Sequence, residues 1–132
     1  MPILDTVVLF ATGDSHDKHH DRAKTHLGRI SEANVYLGAF ALFEFDVVLK
    51  SRGFSFDERM ERHALLLLHY PELERKIAKI SPATLYLTSK LEAEVGLEYF
   101  DAAIAAEALQ FDGGVVSTDK VFDRVEGLTK TW

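Results

Sequence analysis

Residues 99–123, YFDAAIAAEALQFDGGVVSTDKVFD, restrict the chain to few architectures. From Asp101 onward, Ala102, Ile104, Ala105, Ala108 and Leu109 recur at helical spacing. Gly113 and Gly114 then stop the helix, because glycine takes the left-handed conformation that a helix end usually needs. Val115 and Val116 read as a short buried strand, and Asp119 follows at its carboxyl end. If this helix and strand pack side by side, Asp101 and Asp119 can face one cleft. In open α/β sheets such clefts lie outside the carboxyl ends of the strands.

Two further acids interrupt apolar runs. Asp5 sits in PILDTVVLF, and Glu44 sits in GAFALFEFDVVLK. On a helix, the neighbours of Glu44 one turn away are Phe40, Val47 and Val48, so the spacing predicts Glu44 on the buried stripe. A charge on an apolar face is costly unless it is paired or binds a metal. No Lys or Arg shares that stripe before Lys50 and Arg52.

Read in order, the chain alternates short strands and helices, which predicts an α/β fold with a parallel sheet. A strand begins at Ile3-Leu4. Val7-Val8-Leu9-Phe10 would extend it on local propensity alone. Residues 12–18 form a polar loop, and 19–30 read as a helix with Ala23, Leu27 and Ile30 on one face. A brief strand is expected at 34–37, then a helix to about Ser51 that closes at Gly53. Ser55 and Glu58 make a capping box. The helix they open stops before Pro71, and Met60, Ala64, Leu67 and Leu68 are its expected buried side. Residues 77–80 are a possible strand. Ser81-Pro82 starts another helix, which Gly96 ends.

At 132 residues the chain fits one domain, 1–132, with a core large enough to need no staples. It has no cysteine, which excludes disulfides, thiolate metal sites and cysteine nucleophiles and fits a cytoplasmic protein. No apolar run approaches the length of a membrane span, and no signal peptide is visible. The net charge of −6 argues against a simple electrostatic nucleic-acid binder, though a cluster of acids around a cation adds negative charge of its own. The segment holding His16, Asp17, His19, His20 and Asp21 reads as an exposed polar helix start rather than a metal site, because no buried carboxylate or fourth ligand accompanies it.

The Asp-Thr-x-x-x-Phe spacing at Asp5, the acid at Glu44, YFDAAIAAEAL and VVSTDKVFDRVEGL, taken in this order, resemble the PIN domain. That family includes the VapC-type toxin ribonucleases. The resemblance spans residues 3–128. It implies a three-layer PIN-like α/β domain with a central parallel sheet and helices on both faces, and a bend into a short helix directly after Asp5. It further implies a catalytic set of Asp5, Glu44, Asp101 and Asp119, with Asp5, Asp101 and Asp119 as metal ligands. Oxygen ligands suit Mg²⁺ or Mn²⁺. Thr6, Ser117 and Asp123 would support the set: Thr6 at the turn or on the Asp5 carboxylate, Ser117 on a carboxylate or water, and Asp123 in place of the acid that many members carry where this chain has Val121. The activity implied is metal-dependent hydrolysis of RNA phosphodiester bonds, with a small antitoxin protein and a second copy of the chain as partners, or a role in RNA processing. A PIN-fold module that binds RNA or protein without cutting, and a phosphohydrolase acting on small molecules, are the alternatives.

Overall fold

The computed structural model describes residues 2–132. Among these, four parallel strands form one sheet: β1 (Ile3–Leu4), β2 (Tyr36–Leu37), β3 (Gly114–Val116) and β4 (Thr129–Thr131), in the order β2-β1-β3-β4. Leu4 stands between Leu37 and Val116, and Ile3 between Tyr36 and Val115. Both residues of β1, with Val115 and Val116, are wholly buried. Central parallel strands covered on both faces need such unbroken apolar runs.

Six helices flank the sheet: α1 (Thr6–Gly13), α2 (His20–Gly28), α3 (Ala39–Ser51), α4 (Phe56–His69), α5 (Pro82–Val95) and α6 (Tyr99–Phe111). The fold is the expected three-layer α/β arrangement. At its centre α6 is buried on every side from Ala102 to Ala108. Its alanines let it approach β1, β3, α3 and α5 together. Gly113 has φ +82°, and a Cβ there would stand 2.6 Å from the Gly127 carbonyl oxygen, so only glycine fits the turn into β3.

The chain does bend into a helix after Asp5. Asp5 is the extended N-cap of α1, and its backbone N–H still donates to the Val116 carbonyl at 3.1 Å. Burial overrides the strand propensity of the next residues: Val8, Leu9 and Ala11 enter the core from α1.

Several local expectations shift. The polar loop starts later, since α1 runs to Gly13. The helix after it closes at Gly28 and passes into a 3₁₀ turn, Arg29–Ser31. Residues 77–80 contribute one bridge, Leu37 to Ile77, rather than a strand.

The larger correction concerns α4. Its capping box forms as read, with Ser55 and Glu58 bonded reciprocally. Its orientation is the reverse of that expected. Met60, Ala64, Leu67 and Leu68 face outward with Phe56, which is 80% exposed, and Leu68 is 72% exposed. The side turned to the body carries Arg59, Arg62, His63 and Leu66. Asp46 on α3 decides this. It accepts both Arg59 Nε at 3.1 Å and Arg59 Nη2 at 2.7 Å, and it contacts His63 Nε2 at 2.9 Å. These partners pull the Asp46 carboxyl down to about 2. An apolar stripe shows that a face needs covering, not what covers it.

Candidate functional site

The carboxyl ends of β1 and β3 lie side by side, and each delivers polar residues to the same place. Beyond β1, Asp5 is almost wholly buried and both its oxygens accept hydrogen bonds: Oδ1 from the Thr6 backbone N–H and Oδ2 from the Ser117 hydroxyl, each at 2.7 Å. Beyond β3, the buried Ser117 Oγ also accepts the Asp119 backbone N–H at 3.0 Å. One hydroxyl therefore ties the loop after β3 to the acid after β1. Asp119 caps the 3₁₀ turn Lys120–Arg124, accepting the Val121 N–H at 3.0 Å.

Helices supply the other two acids. Glu44 stands at the edge of the core-facing line of α3, which is Phe40, Ala41, Phe45 and Leu49. It stands half-buried beside that line and accepts the Thr6 hydroxyl at 2.6 Å. The Thr6 hydroxyl thus serves Glu44, while its backbone N–H serves Asp5. Asp101 lies in the first turn of α6, half-buried, and accepts no hydrogen bond from the described residues.

Asp5, Thr6, Glu44, Asp101, Thr118 and Asp119 line one cleft of about 710 Å³. The four acids act on one another there. Burial pushes the Asp5 carboxyl up to about 6; its hydrogen bonds oppose this, and the charges of Glu44 and Asp101 add to it. Asp101 is also pushed up to about 6, first by burial, then by Asp119, Glu44 and Glu98. Asp123 does not join them. It sits on the far side of the turn, on Lys130 at 3.2 Å, and takes no part in lining the cleft.

The donor chemistry is oxygen only, which suits a hard divalent cation. The set is not a closed cage: among the described residues, no three His, Asp or Glu side chains are arranged to hold an ion between them. Asp5 explains part of this, since both its oxygens already face donors. Magnesium keeps most of its waters and takes one or two carboxylates directly, so an open set remains compatible with it.

The His16–Asp21 segment is a turn that passes into α2 at His20. Asp14 and Asp17 accept the His16 and His19 N–H groups at 2.9 and 2.7 Å, and His20 bonds the Ala11 carbonyl at 2.8 Å.

Sequence reasoning missed Glu107. It is 2% exposed, and its carboxylate accepts the Ala39 and Phe40 N–H groups at 2.7 and 3.0 Å. It caps α3 from α6, because the N-cap residue Gly38 has no side chain to do so. Burial pushes its carboxyl up to about 7 against those two bonds. An acid inside AIAAEAL gives the same signal that marked Asp5 and Glu44.

A parallel α/β sheet with acids gathered beyond its central strands defines the class of protein. The PIN domain family model matches residues 3–128, and the chain belongs to that family, whose members are generally nucleases. No curated protein matches the sequence significantly. Among solved structures, the chain is similar to VapBC2 from Rickettsia felis, solved bound to a DNA fragment from their promoter. There it is 14% identical with a TM-score of 0.71, covering 98% of this chain and 96% of that one. It is also similar to FitAcB from Neisseria gonorrhoeae, 18% identical with a TM-score of 0.76, again covering 98% and 96%. At these identities the likeness is one of fold.

Proposed function

We propose that the chain is a cytoplasmic metal-dependent ribonuclease, acting as the toxin of a toxin–antitoxin pair or in RNA processing. The observation that carries this reading is the meeting of Asp5, Glu44, Asp101 and Asp119 in one cleft, where burial and mutual repulsion hold two of them well above the usual carboxylate range. Such repulsion is relieved by a cation. Asp5, Asp101 and Asp119 would hold Mg²⁺ or Mn²⁺, with Glu44 beside them. When bound, the ion would offset charge on the scissile phosphate and lower the pKa of a bound water. Ser117 keeps Asp5 and the Asp119 loop in register, and Thr6 holds Glu44 toward the cleft. Asp101, free of protein donors, is the acid best able to orient the attacking water.

Incubating the protein with defined RNAs in Mg²⁺, Mn²⁺ or EDTA tests this. Cleavage in either metal and none in EDTA is the expected outcome; undiminished cleavage by metal-free protein in EDTA removes the mechanism. The open ligand set favours one rival, a PIN-fold module that binds RNA without cutting. That reading is supported if RNA binds but no metal produces cleavage.

The partners proposed are a small antitoxin protein and a second copy of the chain. The outward stripe of α4 supports a surface that a protein covers, and the exposed Asp57 and Glu61 border it. This favours an apolar partner segment with basic flanks, which suits the antitoxin better than a second acidic copy. In a mass measurement, Met60→Glu should leave the mass of the isolated protein unchanged and abolish the complex with the antitoxin. A fall to half the mass would assign the stripe to self-association instead.

A further inference from the structure

Most of the arginines that reach across to another side chain meet a carboxylate: Arg59 on Asp46, Arg29 on Glu32 and Arg75 on Glu72. Arg52 and Arg62 do not, and among the described residues no acid lies within ion-pair distance of either. Both rest on aromatic rings. The Arg52 guanidinium carbon is 5.0 Å from the centre of the Phe10 ring, and that of Arg62 is 5.2 Å from Phe54. Arg62 also reaches the Gly13 carbonyl at 3.5 Å, where a Cβ on residue 13 would crowd its Nη1 at 3.3 Å. Glu58, one turn earlier on α4, feels the charge of Arg62 without touching it.

Both arginines line the same cleft as the four acids. Asp14 and Asp17 border it too, but their carboxylates are turned onto the N–H groups of His16 and His19. Arg52 lies two turns beyond Glu44 along α3, about 12 Å along the axis. The two side chains therefore leave the helix at well-separated points of the cleft wall. A guanidinium held over a ring still has N–H groups to donate, and two of them on one side match a phosphate in a bidentate contact. Grooves for single strands combine such cations with aromatic rings.

We propose that Arg52 and Arg62 form a phosphate anchor, holding the backbone of a single RNA strand at a point removed from the cut. The cleft would then read strand length: acids where the bond breaks, ring-seated arginines further along the same strand. This inference rests on the ribonuclease reading for its substrate, but its test does not depend on cleavage.

The test uses the Arg52→Gln/Arg62→Gln double variant, which keeps most of each side-chain stem, with circular dichroism as the check on folding. Binding of a labelled single-stranded RNA is measured in EDTA across a salt series. Removing two phosphate contacts should weaken binding at least tenfold at low salt and reduce the salt slope by about 1.4. In Mg²⁺, the variant should raise KM on long RNA at least tenfold with kcat nearly unchanged, and leave cleavage of a dinucleotide unaffected. An unchanged salt slope overturns the anchor, as does an equal loss on the dinucleotide, which would put the arginines at the reacting phosphate. If the wild type binds RNA but cuts none, the ribonuclease reading fails and the binding series still decides the anchor. Should the double variant fold poorly, the two single variants, each expected to reduce the slope by about 0.7, replace it.

Discussion

Ser117 shows how much one hydroxyl can organise. It donates to Asp5 and accepts from the Asp119 backbone, so two loops that would otherwise drift share a single atom. Ser117→Ala should cost activity roughly 10–100-fold, the usual scale for a residue that orients a ligand. It should also move the acid limb of the pH–rate profile upward, because the Ser117 bond holds the Asp5 carboxyl down. An unmoved limb would mean that Asp5 does not titrate in the rate-limiting step. Asp101→Asn should lose more activity than that, while metal-free stability stays level or rises, since a repelling charge has gone. Urea melts in EDTA settle the second half; marked destabilisation would make Asp101 a structural acid. Glu107→Gln should behave in the opposite way. It puts an NH₂ beside backbone donors, should cost about 1–3 kcal/mol, and should weaken activity only through the fold.

At the scale of elements, the α6–turn–β3 unit was legible because its signals agree: an alanine-rich helix, a turn whose positive φ only glycine takes easily, and a strand buried on both faces. The bend after Asp5 was not legible from propensity, which favours a strand there; the family resemblance supplied it. Asp5 and Glu44 could be picked out because each breaks an apolar run; Asp101 and Asp119 fit an ordinary helix start and turn, and their place at the two ends of one helix–strand unit, with the family resemblance, singled them out. Their hydrogen-bond partners could not be, since Thr6 meets Glu44 across 38 positions of chain. The orientation of α4 failed for a related reason. Its sequence shows an apolar stripe, but the Asp46–Arg59–His63 cluster that sets its seat is a long-range fact. Asp46→Asn should therefore loosen α4 locally, read as faster amide exchange across 56–69 with the rest of the molecule unchanged. Equal acceleration in α6 would show that the cluster supports the whole fold.

For the molecule as a whole, the acids set a pH profile. Asp5, Asp101 and Glu107 have raised values in the folded chain, about 6, 6 and 7. Above the ordinary carboxyl value, the native state keeps protons that the unfolded chain has released, so stability falls as pH rises through that window. Asp46 has the opposite sign. Its contribution is present above the ordinary value and is lost as pH falls toward about 2. Metal-free protein should therefore be most stable at mildly acidic pH, about 4 to 5. Denaturant melts in EDTA from about pH 3 to pH 8 check this, and a steady rise to the alkaline end would contradict it. Added Mg²⁺ should stabilise most at the alkaline end, where the carboxylates are already free of protons.

The seating of α4 also separates two kinds of constraint. No residue of that helix is fully buried, and a cluster of charges on its inner side holds it in place. Its outer residues answer to no requirement of the core. Phe56, Met60, Leu67 and Leu68 can drift in sequence while the sheet and the acidic cleft stay as they are. If the proposed partner docks there, a lineage of such proteins can change which molecule it recognises on this face without repaying the change in folding stability. Recognition and chemistry are free to diverge at different rates.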